Sequence, residues 1–222
     1  MATIHWDIQR WDTEFAFSNL GDYLELIEGQ FEILREKEQK KIPQNPPAGL
    51  TEEELAEWQA DIIIFERRYF HDFPSIIRYS FVVQLHILLE TRLKAICDEI
   101  SKRKGLGLKE SDFKGSPIER VCVFLEKVMK LPVKEHSTWE WLKNLQKVRD
   151  CIVHSNGNIE LSRDKKYLID LCRNKRIGLS VESGTLMIDR DYCDESLKMI
   201  NSFFQELFET AGFGSSTPTV DI

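Results

Sequence analysis

Of the five histidines in the chain (His5, His71, His86, His136 and His154), His154 alone has company that suggests proton chemistry. It closes the run Lys147-Val148-Arg149-Asp150-Cys151-Ile152-Val153-His154, five positions after an arginine and four after an aspartate. A histidine takes up or releases a proton near neutral pH, and an arginine presents a fixed planar cation that matches phosphate. Together they supply acid-base catalysis and charge stabilisation without a metal, with Asp150 as the orienting residue. Five residues along a straight helix turn through about 140°, so the pair converges if the helix ends before His154 or if the long arginine reaches around. The Ser155-Asn156-Gly157 segment, an ending of left-handed type, favours the first route. A plainer reading stands beside it: Arg149 pairs with a neighbouring acid, and His154 hydrogen-bonds at a helix terminus whose dipole favours a cation.

Glu90 lies in the most apolar segment of the chain, with His86 one turn before it and Lys94 one turn after. It is either an acid facing the Arg149 and His154 site or one half of an ordinary i,i+4 pair with Lys94. Arg163, Lys165 and Lys166, followed by Arg173, Lys175 and Arg176, set six bases against Asp164 and Asp170. Such a run contacts phosphates or simply forms a solvated face. Trp139 and Trp141 stand at helical spacing and read as core or interface rather than as platforms for bases. The sequence holds no G-x-x-x-x-G-K-[ST], no G-x-G-x-x-G, no H-E-x-x-H and no G-x-S-x-G, which leaves P-loop hydrolysis, nicotinamide chemistry and ordinary zinc hydrolysis without support. No metal or cofactor is expected. Cys97, Cys122, Cys151, Cys172 and Cys193 are odd in number and never form C-x-x-C, so they read as reduced packing residues.

The elements that must position these residues are helical by composition. Only 11 Gly and 7 Pro interrupt 222 residues, 30% of which are charged, and the 42% hydrophobic share suffices for a core. With 37 acids against 30 bases the net charge is −7, which argues against whole-protein attraction to nucleic acid and leaves only a local basic patch. No apolar run approaches the roughly 20 residues of a membrane span, and the first dozen residues lack a secretory layout, so a cytoplasmic chain is expected. Phe17, Leu20, Leu24, Ile27, Phe31 and Leu34 mark an amphipathic helix with Glu25, Glu28, Glu32 and Glu36 off its seam. After a linker at Pro43, Pro46, Pro47 and Gly49, a capping box at Thr51 and Glu54 opens a second seam (Leu55, Trp58, Ile62, Phe65, Tyr69), predicting an antiparallel helical hairpin. Phe73-Pro74 predicts a boundary, with a central helix over 76–100 that ends at Lys102-Arg103-Lys104-Gly105. Ser116-Pro117-Ile118-Glu119 and Ser137 with Glu140 cap two more helices. Segments 177–181 and 185–188 flank Glu182-Ser183-Gly184 as a β-hairpin with a three-residue turn, a last helix covers 194–210, and the tail from 212 on is expected to be loose. The whole reads as one domain: residues 1–50 as helix and linker, 51–157 as the helical core, 158–211 as hairpin and terminal helix, 212–222 as tail.

The string from Trp139 through Leu142, Leu145, Arg149-Asp150, Ile152-Val153-His154 to Gly157 resembles the R-x-x-x-x-H signature of HEPN domains, small helical domains of bacterial toxins and of defence and RNA-processing nucleases. Phe73-Pro74 with Ile77-Arg78, Leu88-Leu89-Glu90 with Leu93, and Asp112-Phe113-Lys114-Gly115 with Ile118-Glu119-Arg120 resemble the preceding helices of bacterial members, so the likeness covers about residues 73–211. It implies a mostly α, up-down helical bundle with the N-terminal hairpin and C-terminal β-hairpin added, a homodimer, and in active members metal-independent cleavage of RNA. An antitoxin or defence-system partner goes with that picture. Many HEPN domains only dimerise or bind, and a non-catalytic module is the alternative. One branch of toxins carries tyrosine two residues after the histidine, where this chain has Asn156, and Asp150 stands where asparagine is frequent.

Overall fold

The computed structural model describes residues 3–5, 7–43, 45–135, 138–173, 177–217 and 219–221. Strand β1 (Thr3–His5) leads into helix α1 (Ile8–Gln39), whose cap is Asp7, its carboxylate accepting from the Arg10 N–H at 3.2 Å. Phe17, Leu20, Leu24 and Phe31 are buried along the expected seam, while Leu34 stays exposed. Glu28, placed off the seam by its period, is in fact buried. Both its carboxylate oxygens accept from Arg78, at 2.8 and 3.2 Å, and Arg78 also donates to the Ile188 carbonyl at 3.1 Å.

Helix α2 (Glu52–Glu66) begins with the capping box of Thr51 and Glu54. Leu55, Trp58, Ile62, Phe65 and Tyr69 form a half-buried stripe, but no residue of α2 itself is buried, and Phe31 of α1 meets the rings of Tyr69 and Phe73, beyond the end of α2, at 6.2 Å. An α-helix does begin at Phe73-Pro74, but no break in the helical course precedes it. A π-helical turn, Arg67–Asp72, joins α2 directly to α3 (Phe73–Arg103), and the Phe73 N–H reaches back to the Arg68 carbonyl. The wider turn lets the helix continue past a proline that has no N–H to donate.

Helix α3 is the central element, packed by α1 and by α4 (Pro117–Met129), α5 (Trp139–Ser155) and α7 (Arg190–Ala211). Phe81, Val82, Leu85, Leu89, Leu93, Ile96 and Ile100 on it are buried. Helix α4 has the predicted capping box of Ser116 and Glu119 with proline in its first turn. The predicted cap Ser137 and His136 lie outside the described residues, and α5 is preceded by Thr138. It ends at left-handed Asn156, as its sequence indicates. An unanticipated helix α6 (Lys165–Cys172) follows, anchored by buried Leu168. The β-hairpin is shorter than expected, β2 (Leu179–Glu182) pairing with β3 (Thr185–Ile188) around a two-residue turn. Ser183 at φ 49° and Gly184 at φ 79° give that turn the positive dihedrals that match strand twist. The tail is not loose: β4 (Thr219–Asp221) pairs antiparallel with β1, Phe213 is buried, and the Gly214 N–H donates to the Asp7 carboxylate at 3.1 Å.

The architecture of the described residues is thus a mostly α bundle with two small antiparallel sheets of two strands each, β1 with β4 and β2 with β3. All five cysteines are free; four are buried and Cys172 is partly so. Among the described residues no helix is long and apolar enough to cross a membrane.

Gly157 fixes how α5 ends. Its φ of 77° is left-handed, and a Cβ there would run into the Tyr79 hydroxyl, which itself donates to the Leu186 carbonyl on β3. Gly157→Ala should therefore lower stability by about 2 kcal/mol or more, roughly 4–8 °C in Tm for a chain of this size. Thermal unfolding of the variant with no loss would show that neither the dihedral nor Tyr79 constrains this junction.

Candidate functional site

The seam between α3 and α5 gathers Arg149, Asp150 and Glu90. Arg149 Nη1 lies 2.7 Å from Asp150 Oδ1 and its Nη2 lies 3.8 Å from Glu90 Oε2, all three side chains roughly a quarter exposed. Burial pushes the Glu90 carboxyl above its ordinary value although Arg149 opposes this and Asp150 adds to it. At 3.8 Å the guanidinium does not hydrogen-bond the carboxylate, so desolvation wins over the ion pair. No ion pair joins Glu90 to Lys94 among the described residues. Both instead border a cleft of about 180 Å³, together with Arg120 and Glu110.

Beneath this cluster sits His86, 0% exposed. Its Nδ1 is 3.7 Å from Glu90 Oε2, too long for a hydrogen bond, and neither ring nitrogen has a partner. Burial first, then the charge of Arg149, pushes its pKa down to about 4, with Asp150 opposing. The imidazole is therefore neutral at pH 7. Sequence reasoning set this residue one turn before Glu90 and gave it no role. The available signal was register, since His86 follows Val82 by four and precedes Leu89 by three and Leu93 by seven, on the buried face.

His154 is not brought to this cluster. Helix α5 runs through Ser155, so the helix does not end before His154, and within one chain the histidine is turned away from Arg149. It is exposed and has no hydrogen bond or ion pair among the described residues. Its register puts it on the outer stripe of α5, four residues after Asp150, seven after Lys147 and eleven after Lys143. Lys147 is tied to Asp164 at 3.0 Å, which connects this stripe to the basic segment ahead of α6. There Arg163, Lys165 and Lys166 are exposed. Lys165 is paired with Glu160, and Arg173 with Asp170 at 2.7 Å, while Arg163 and Lys166 have no ion pair among the described residues. Lys175 and Arg176 lie outside the described residues. Trp139 is buried, and Trp141 donates to Ser196 Oγ at 3.1 Å and stacks on Tyr192 at 5.8 Å, so both serve packing.

No protein-family model, no curated protein and no solved structure matches this chain. The site must be judged on its own geometry.

The geometry has a pH signature. The unfolded chain protonates His86 near 6.5 while the folded one resists until about 4, so between these values the unfolded state binds more protons. The stability held above pH 6.5 is then lost as pH falls toward 4, by up to about 3 kcal/mol. His86→Leu, which removes two unpartnered polar atoms, should be as stable as the native chain or more so at pH 7.5 and should lose this part of the slope. Chemical denaturation of both proteins at pH 7.5, 6 and 4.5 measures it; parallel curves would show that His86 is not held neutral.

Proposed function

We propose that this chain is a metal-independent RNA endonuclease of toxin or defence kind, a HEPN-like bundle in which Arg149 binds phosphate and His154 moves the proton. The observation that carries the reading is the half-buried Glu90, Arg149 and Asp150 cluster on the α3/α5 seam, one helical turn from an exposed histidine on the same helix. In RNA the 2′-oxygen attacks the adjacent phosphorus and the bond to the 5′-oxygen breaks, leaving a cyclic phosphate and a 5′-hydroxyl. His154 takes the proton from the nucleophile or supplies one to the leaving oxygen, and Arg149 faces the charge that accumulates on phosphorus. Glu90, whose carboxyl is raised, is the second titratable group of the cluster, and Asp150 orients Arg149 at 2.7 Å. Arg163, Lys165 and Lys166 would track the RNA backbone.

In this reading Arg149 and His154, on different sides of α5, act on one phosphate when the substrate crosses the helix past Asp150 or when a second copy contributes its own histidine. A homodimer, an antitoxin or defence-system partner and a cytoplasmic site of action belong to the same proposal. The inner seam of α1 is not available to such a dimer, since Phe17, Leu20, Leu24 and Phe31 are buried within the subunit. One observation favours the non-catalytic alternative, a dimerisation or partner-binding module: the Arg149 guanidinium already faces two carboxylates and His154 stands apart.

Total RNA and tRNA incubated with the protein in excess EDTA separate the two readings. Cleavage should persist and change with the titration of a histidine, and His154→Ala should lower it by roughly 10²-fold or more with Tm nearly unchanged. Arg149→Lys should also lose activity, since the planar fork is gone, whereas replacing Arg163, Lys165 and Lys166 by Ala should weaken RNA binding in a salt-dependent way. RNA bound but left intact by the native protein would establish the binding module, and cleavage untouched by His154→Ala would remove the histidine from the mechanism.

A further inference from the structure

We propose that the outer face of α1 is the contact surface for a second copy of this chain, the two helices paired antiparallel about a two-fold axis passing between residues 20 and 21. It gives the homodimer of the proposed function a surface and uses none of the residues assigned to cleavage, so self-association and cleavage are tested separately. Helix α1 carries two apolar faces. The inner one is consumed within the subunit. On the opposite side Ile8, Phe15, Leu26 and Ile33 are 63%, 50%, 59% and 61% exposed, and Trp11 lies flat on Phe15 with ring centroids 5.1 Å apart. From Ile8 to Ile33 the stripe is about 38 Å long, with Ile8, Trp11 and Phe15 in one half and Leu26 and Ile33 in the other, on either side of Asn19 and Asp22.

The order of the residues identifies the occupant, because the outer face has the same chemistry read from either end. In an antiparallel pair of identical helices centred there, residues whose numbers sum to 41 stand opposite one another. Ile8 then meets Ile33 of the partner subunit and Phe15 meets Leu26 of the partner subunit, each contact occurring twice, as a two-fold interface requires. Four of the seven large hydrophobics exposed on α1 are mirrored in this way; Trp11, Tyr23 and Leu34 flank them. At the centre Asn19 faces Asp22 of the partner subunit, so an amide N–H₂ can donate to a carboxylate on each side of the axis. A polar pair at one layer of an apolar seam sets register.

Gly29 is an independent sign. A glycine inside a helix weakens it, and here a Cβ would meet nothing within 4 Å, so the subunit alone gives no reason for it. In the proposed pair Gly29 stands opposite Asp12 of the partner subunit and next to the partner's Trp11, where a missing side chain gives the indole room between the helices. The residues of this surface all lie on α1, and none belongs to the α3/α5 seam. Two stripes of this length bury on the order of 1,000 Å² in total, at the low end of specific interfaces.

Sedimentation velocity from roughly 1 to 100 µM should show the native chain passing from monomer to dimer. Phe15→Glu with Leu26→Glu should weaken the dimer at least about tenfold without changing the far-ultraviolet circular dichroism. Register is read by cysteine cross-linking in a Cys172→Ser background, mixing a chain carrying Phe15→Cys with one carrying Leu26→Cys. The mixture should cross-link several-fold more than either chain alone, because identical positions 15 and 15 are about 16 Å apart along the axis. A native monomer at the highest concentration, a dimer indifferent to the double glutamate variant, or self-cross-linking of one variant equal to that of the mixture would each overturn the proposal.

Discussion

The buried pair between Arg78 and Glu28 is the constraint around which the other elements are arranged. Glu28 is 3% exposed, and the guanidinium that neutralises it reaches on to the Ile188 carbonyl, so one side chain of α3 holds α1 on one flank and β3 on the other. Two charges taken out of water repay their desolvation only with such complete hydrogen bonding, and losing either partner leaves the other stranded. The next residue, Tyr79, donates to the Leu186 carbonyl and occupies the space that Gly157 leaves open. Two successive residues thus fix the N-terminal helix, the β-hairpin and the end of α5 against the start of α3. The orientation of α5, and with it of Arg149 and Asp150, follows from that junction.

Against this well-satisfied pair, His86 is an expense. A fully buried imidazole with no partner on either nitrogen forfeits its hydrogen bonds to water and gains none in exchange. An apolar residue would fill the same register position between Val82 and Leu89 at less cost. Its place directly under Glu90 means that one turn of α3 holds a carboxyl biased toward its proton and an imidazole biased against one. Burial that disfavours the charged form of both an acid and a base is typical of sites that move protons, and it occurs also where charges are merely buried.

What the sequence disclosed was local. The capping boxes at Thr51 and Ser116, the left-handed ending at Asn156 and the inner face of α1 depend on residues within a turn or two of one another, and each was legible. The missed features depend on partners far along the chain. Glu28 looks solvated until Arg78, fifty residues on, is seen beside it; β1 and β4 are three-residue strands that find each other across the whole chain. The π-helical turn was hidden because Pro74 argues for a break, and the widened backbone that avoids one leaves no residue signature. At the candidate site Arg149 with Asp150 was legible as adjacent charge, and Glu90 was legible as an alternative. That α5 would continue past His154 was not, since Ser155-Asn156-Gly157 places the end of a helix only to within a residue or two.

The two arginine pairs differ in how much of the fold depends on them. Arg78 is bound by an acid from another helix and by a strand carbonyl, so exchanging those partners for a ligand would loosen three elements at once. Arg149 is bound most closely by its own neighbour, Asp150, and only loosely, at 3.8 Å, by Glu90. A contact between adjacent residues of one helix holds no elements together. A phosphate approaching the α3/α5 seam could take the guanidinium from Asp150 without disturbing the packing of either helix, and the released carboxylate would still lie one turn from His154. The stable pair is deep and crosses elements; the exchangeable one is shallow and local. That contrast in what each arginine would forfeit, rather than the spacing of a motif, leaves Arg149 the freer of the two to exchange its partner.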